Sequence, residues 1–292
     1  MHAPRRTVRP RPFRIGIVRV ALVLALVLLP LRMAFAQFDH SHSAWNALLA
    51  KHVVLIEGGN ASQVRYAGFA QDRAALKAYL DSLSRVTSRE FESWTKPQQM
   101  AFLINAYNAF TVEKILTRYP EIKSIRDFGR VIGNPFRDSF FVLLGTGSSL
   151  DRIEHELLRA KGVYEEPRVH FAVNCASIGC PMLREEAYVA ERLDAQLEAQ
   201  TLRFLSDRSR NRYDPAKNVL EVSKIFDWFK EDWQSGYRGL GKDATPISSR
   251  EQFFAKYADV LATTPEGRQA VRERKAALVF LEYDWALNDV RR

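Results

Sequence analysis

The sequence is poor in cysteine, with two in 292 residues. That leaves room for one disulfide bridge at most, and the spacing of Cys175 and Cys180 with His155 and His170 matches no standard zinc pattern. There is no internal repeat and no low-complexity linker, so a single domain after the N-terminal segment is the economical expectation. No basic stripe with interleaved aromatics is present, which removes the usual footprint of a nucleic-acid binder. The glycine-rich turn Gly145-Thr146-Gly147-Ser148-Ser149 lacks the lysine of a P-loop and the third glycine of a dinucleotide fingerprint. It reads instead as a tight turn and a helix cap with Ser148 and Asp151 in capping-box spacing, and no cofactor is expected.

Long apolar runs are also missing, and the one at residues 20–29 is too short for a span that needs ~20 apolar residues. It stands between a basic start (Arg5, Arg6, Arg9, Arg11, Arg14) and Ala34-Phe35-Ala36, the three parts of a secretory signal. Residues 1–36 are therefore expected to be a signal peptide, cleaved before Gln37 and leaving a soluble periplasmic or secreted chain. Seven of the 43 Lys and Arg residues fall in this segment and no acid does, so the remaining net charge is +2 rather than +9. Residues 37–292 are enough for one sizeable core. In an oxidising compartment two cysteines are expected to form one disulfide, Cys175–Cys180.

The chemistry gathers in RVHFAVNCASIGCP, residues 168–181. Val169, Phe171 and Val173 alternate with His170, Ala172 and Asn174, which predicts a strand ending at Asn174. Small residues then lead to Cys180-Pro181 and a predicted helix with Pro at its first position. Upstream, Thr95-Lys96-Pro97-Gln98 opens a helix over 95–119 that is apolar almost all round and is therefore the predicted central helix. Asn105 and Asn108 share one face of it, and buried amides need partners, so they are expected to tie it to neighbouring backbone or to orient a reacting group. A helix over 150–160 carries Glu154 within or beside its apolar stripe, where a carboxylate needs a cation, a His or backbone donors. His40 and His42 are expected to be solvated.

INAYNAF at 104–110, IEHELLR at 153–159, RVHFAVNCASIGCP at 168–181 and YDWALN at 283–288 together resemble the domain of unknown function 547 family, over roughly residues 90–290. The resemblance implies a domain and no reaction. Its marked positions fall on Asn105, Tyr107, Asn108, Glu154, His155, His170, Cys175, Cys180, Pro181, Asp284, Trp285 and Asn288.

Laying the helix over 150–160 antiparallel to the strand over 168–174 brings Glu154, His155 and His170 to similar heights, from ~1.5 Å per helical and ~3.3 Å per strand residue. An ionised Glu154 is then expected to raise the pKa of His170. Five extended residues hold His170 and Cys175 ~16 Å apart, which favours Cys180 as the thiolate at a helix N-terminus. Three functions remain open, with partners and ligand unknown. The first is an envelope binding module pinned by the Cys175–Cys180 bridge. The second is a thiol-dependent hydrolase or acyl transferase with Cys180 or Cys175 as nucleophile, His170 or His155 as base, and Glu154 or Asp284 as orienting group. The third is a metal site. The expected fold is α+β, a mainly helical single domain with a small sheet from segments near 140, 170, 222 and 280.

Overall fold

The computed structural model describes residues 2, 37–129, 134–234, 236–237, 240 and 246–290. The expected signal segment, apart from residue 2, lies outside them. The chain is organised around α5 (Lys96–Leu116), whose residues from Gln99 to Val112 are all buried. Thr95 accepts from the Gln98 amide while Gln98 Oε1 accepts from Thr95 N–H at 3.0 Å, closing the expected capping box. On α5 pack α2 (Tyr66–Gln71) and α3 (Arg73–Arg85), with α1 (Ser43–His52) against those two, while α4 (Ser88–Glu92) brings the Phe91 ring 5.7 Å from that of Phe102. Then follow α6 (Leu193–Ser206), α7 (Ile225–Trp228), α8 (Arg250–Lys256), α9 (Ala258–Leu261) and α10 (Pro265–Arg272). The fold is α+β and mainly helical, as the sequence predicts.

The strands form three small sheets, not one. β1 (Val53–Ile56) pairs antiparallel with β2 (Ala61–Val64), and β3 (Phe141–Leu143) with β4 (Thr146–Ser148). β5 (Arg212–Asp214) pairs antiparallel with β6 (Val219–Val222), which pairs parallel with β7 (Ala277–Phe280). The segments near 222 and 280 are thus neighbours as expected, but those near 140 and 170 are not in that sheet. Leu144 and Gly145 both have positive φ, the backbone that a two-residue hairpin loop demands, so the glycine-rich turn joins two strands. The cap that follows is Ser149, accepting from Arg152 N–H at 3.1 Å, rather than Ser148.

Two further expectations change. Residues 168–174 are not a strand: a 3₁₀ turn runs over Pro167–Phe171, with Glu166 accepting from Arg168 N–H at its start. Every residue from Glu166 to Asn174 is buried, so the alternating polar groups find partners inside the protein and the period of two marks no solvent face. No helix follows Pro181 either. The backbone of 181–188 is held by side chains instead: Asn174 donates to Pro181 O, Gln200 to Met182 O, Ser62 to Leu183 O and Gln196 to Ala187 O. His42 is buried with Nδ1 2.7 Å from Tyr79 OH, and His40 is half-buried beside Trp94, because both sit in an aromatic cluster.

Apolar packing falls into two clusters. The larger surrounds α5 and includes Val169, Ala172 and Val173. The second is aromatic, with Phe171, Phe204, Phe226, Trp233, Phe253, Phe254 and Tyr257. The turn at 167–171 contributes to both and lies on the seam between them. Residues 281–290 return to the N-terminal part, where Val64 N–H donates to Asn288 O at 2.8 Å and Val290 N–H to Val64 O at 3.1 Å. Residues Phe38–Arg292 accordingly cluster as one compact unit.

Candidate active site: a cysteine-centred cleft

A cleft of about 160 Å³ opens on the seam, walled by Tyr107, Glu154, His155, His170, Cys175 and Cys180 on one part and by Phe229, Trp228, Tyr283 and Trp285 on another. Two amide forks on α5 position the first wall. Asn105 donates to Tyr188 O at 2.8 Å and accepts from Tyr188 N–H at 3.0 Å. Asn108 donates to Ala172 O at 2.9 Å and accepts from Asn174 N–H at 2.8 Å. Both amides thus tie the helix to neighbouring backbone, as predicted, and Asn108 anchors the cysteine loop at its origin.

The loop 174–180 is fixed along its length. Ala176 N–H donates to Asn174 Oδ1, Ile178 N–H to Ala286 O and Gly179 N–H to Asp284 O. Gly179 passes so close to the tail that a β-carbon there would meet Asp284 N at 2.9 Å, so only glycine fits. Asn288 is buried, accepts from Tyr66 OH at 2.8 Å and donates to Asn174 Oδ1 at 3.3 Å, which makes it a framework residue. Asp284 is exposed, its carboxylate accepts from Ala286 N–H, and it does not line the cleft, so it is not the orienting acid.

Cys175 and Cys180 are free thiols with sulfurs 2.8 Å apart, so the expected bridge is not formed. Cys175 Sγ also lies 3.0 Å from Ser177 Oγ and 3.1 Å from Tyr283 OH. Burial opposes its ionisation, but bonds from the Cys180 thiol and the Ser177 and Tyr283 hydroxyls outweigh it and bring its pKa down to about 7. Burial raises the Cys180 thiol well above its ordinary value. Of the two thiols Cys175 is the more readily ionised, and the helix N-terminus expected to favour Cys180 does not form at Pro181.

Glu154 belongs to a widened helical segment, Arg152–Leu158, where the Arg159 N–H reaches back five residues to Glu154 O at 3.0 Å. Such π-turns occur often at functional sites. Burial, and then the negative charge of Cys175, raise the Glu154 carboxyl to about 7 against the Arg159 charge and the Tyr107 hydroxyl bond. Its Oε1 lies 3.9 Å from His170 Nδ1, so the two meet, though not as a hydrogen bond.

The partner of His170 is Asp232, which the sequence does not single out: Nε2 lies 2.7 Å from Asp232 Oδ2. Arg159 grips the same carboxylate with two bonds of 2.5 and 2.9 Å. Burial therefore lowers the His170 pKa despite Asp232, opposite to the predicted rise. A neutral ring that donates from Nε2 to Asp232 leaves Nδ1 as a bare acceptor, and Nδ1 is buried without a hydrogen-bond partner. The ring is stacked on Phe229 at 3.9 Å between centroids. His155 sits at the rim, 38% exposed, with Nδ1 bonded by Arg159 and Nε2 3.6 Å from Asp151.

The arrangement is a cleft lined by two free thiols, a buried imidazole and a carboxyl on a helical α+β scaffold. Among the described residues no hydrogen bond joins Cys175 to His170, and no group of three or more His, Cys, Asp and Glu side chains is placed to hold a metal ion. Residues 91–205 match the family described as "Protein of unknown function, DUF547", the family that the motifs resemble. Tyr283, Trp285 and Asn288 lie beyond the matched span. No curated protein and no solved structure matches the chain.

Proposed function

We propose that the protein is a thiol-dependent acyl transferase or hydrolase with Cys175 as nucleophile, His170 as base oriented by Asp232, and Glu154 as acid. The observation that carries this reading is the ring of Cys180 Sγ, Ser177 Oγ and Tyr283 OH within 3.1 Å of Cys175 Sγ, three groups able to donate to a thiolate there without a neighbouring base. The thiolate adds to an acyl carbon, and the departing group takes the proton of Glu154, leaving a thioester on Cys175. Water then loses a proton to His170 Nδ1 as its oxygen displaces the Cys175 thiolate, the acid is released, and the imidazolium proton returns to Glu154, whose Oε1 lies 3.9 Å from Nδ1. A carboxyl that ionises near pH 7 is matched to the first transfer, and a neutral imidazole with a free Nδ1 to the second.

p-Nitrophenyl acetate is a direct probe. A burst of p-nitrophenolate with one acetyl group on Cys175, absent in Cys175→Ala, is expected. No adduct, or an adduct that survives Cys175→Ala, would contradict the reading. A binding module pinned by a Cys175–Cys180 bridge is the weaker alternative, since hydrogen bonds already fix that loop. The basic start, short apolar run and Ala34-Phe35-Ala36 support export to the periplasm or beyond, with a mature chain starting at Gln37. N-terminal sequencing that finds residues 1–36 retained in a membrane fraction would reverse this.

A further inference from the structure

We propose that Cys175 and Cys180 also act as a dithiol pair that reduces organic hydroperoxides, Cys175 attacking and Cys180 resolving. The idea shares the Cys175 nucleophile with the acyl-transfer reading but does not need an acyl substrate. Three features of the cleft lead to it. The two sulfurs are already 2.8 Å apart, and Cys175 N–H donates to Cys180 Sγ at 2.9 Å, so a bridge needs only a short approach of the sulfurs. Both cysteines line the cleft, and Cys175 is half-buried while Cys180 is 5% exposed, so Cys175 is the more accessible of the two to an oxidant entering it. The lining beside Cys175 is aromatic, with Tyr283 OH 3.1 Å from its sulfur and Trp228 4.9 Å and Trp285 4.6 Å from Tyr283 between ring centroids, a surface suited to an apolar R group.

The steps balance with a hydroperoxide ROOH as the oxidant. The Cys175 thiolate attacks the terminal oxygen, an S–O bond forms and the O–O bond breaks. The alkoxide leaves with the Glu154 proton as ROH, and Cys175 is a sulfenic acid. The Cys180 sulfur then attacks Cys175 Sγ, an S–S bond forms, and the sulfenic hydroxyl departs with the Cys180 proton as water. Two molecules of a low-molecular-weight thiol return the pair to the reduced state by exchange, supplying two electrons and two protons. Hydrogen bonds that hold the loop through Asn174, Ile178 and Gly179 do not involve either sulfur, so they persist in both states.

The test treats the reduced full chain with one equivalent of cumene hydroperoxide and follows thiol count and intact mass. Loss of both thiols, a mass decrease of two hydrogens and a Cys175–Cys180 crosslink in the digest are expected. Cys180→Ala should stop at a single added oxygen on Cys175 that dimedone captures, and Cys175→Ala should lose hydroperoxide consumption. Survival of both thiols, oxygen uptake on wild-type Cys175 without a bridge, or undiminished consumption by Cys175→Ala would overturn the proposal. If a variant fails to fold, the wild-type mass and thiol count decide. Acetylation by p-nitrophenyl acetate is measured on the same preparation, so failure with the hydroperoxide and failure with the ester read separately.

Discussion

Glu154 and Cys175 titrate in the same range from opposite directions. Burial lifts the carboxyl, and the hydroxyl and thiol groups around the sulfur pull the thiol down, so both come to about 7. For Glu154 the folded pKa lies above the ordinary value of 4.5, so its stabilising contribution is complete below about 4.5 and is lost as pH rises through about 7. The shift corresponds to on the order of 3 kcal/mol. Glu154→Gln should therefore flatten the stability profile between these values, as read by urea unfolding at a series of pH values. An unchanged slope would mean that the carboxyl is not held protonated. Glu154 and His170 meet as the sequence leads one to expect, though the strand used to place His170 does not form, and the sign of the His170 shift is not legible. Asp232, 62 positions downstream, supplies the carboxylate, and no local pattern in Lys230–Trp233 marks it. Its neighbours are aromatic, and that clustering is the one signal available beforehand.

At the scale of elements, α5 is read almost entirely from sequence, because a capping box and an all-round apolar interior are both local signatures. Its end at Leu116 falls three residues short of the predicted Tyr119. The Asn105 and Asn108 forks follow from the same reasoning, since an amide on a buried helix must bond to something. Replacing Asn108 by Leu leaves Ala172 O and Asn174 N–H unpaired and should cost about 2 to 6 kcal/mol, at roughly 1 to 3 for each abandoned group. Asn105→Leu should cost a similar amount through Tyr188. Only Asn108→Leu should also disturb Cys175 alkylation, because only Asn108 holds the cysteine loop. Melting curves indistinguishable from wild type would remove both forks from the account. The 167–171 turn shows why periodicity fails here. A segment buried on every side has no solvent face to report, and Pro167 with the Glu166 cap decides the local geometry.

Across the whole molecule, the cleft exists because two apolar clusters meet along a seam and the C-terminal tail closes it. Sequence motifs bring YDWALN into the same set as the cysteine loop, and the structure gives the reason: Ile178 and Gly179 donate to the backbone of Ala286 and Asp284, while Tyr283 reaches the thiol. The register of those contacts is long-range and has no local trace. Asn288→Leu would strand Tyr66 OH, while Asn174 Oδ1 keeps the Ala176 N–H, so it should lower stability by about 1 to 3 kcal/mol, with calorimetry as the check.

The central claim is that Cys175 is a thiolate held by its neighbours, and the pH dependence of its alkylation by iodoacetamide tests that most directly, with labelled residues identified by peptide mass. The account predicts labelling at Cys175 with a midpoint near pH 7, Cys180 unlabelled below pH 9, and a midpoint displaced upward in Tyr283→Phe. A midpoint at the ordinary thiol value of 9.0, or one that Tyr283→Phe leaves unmoved, would contradict it.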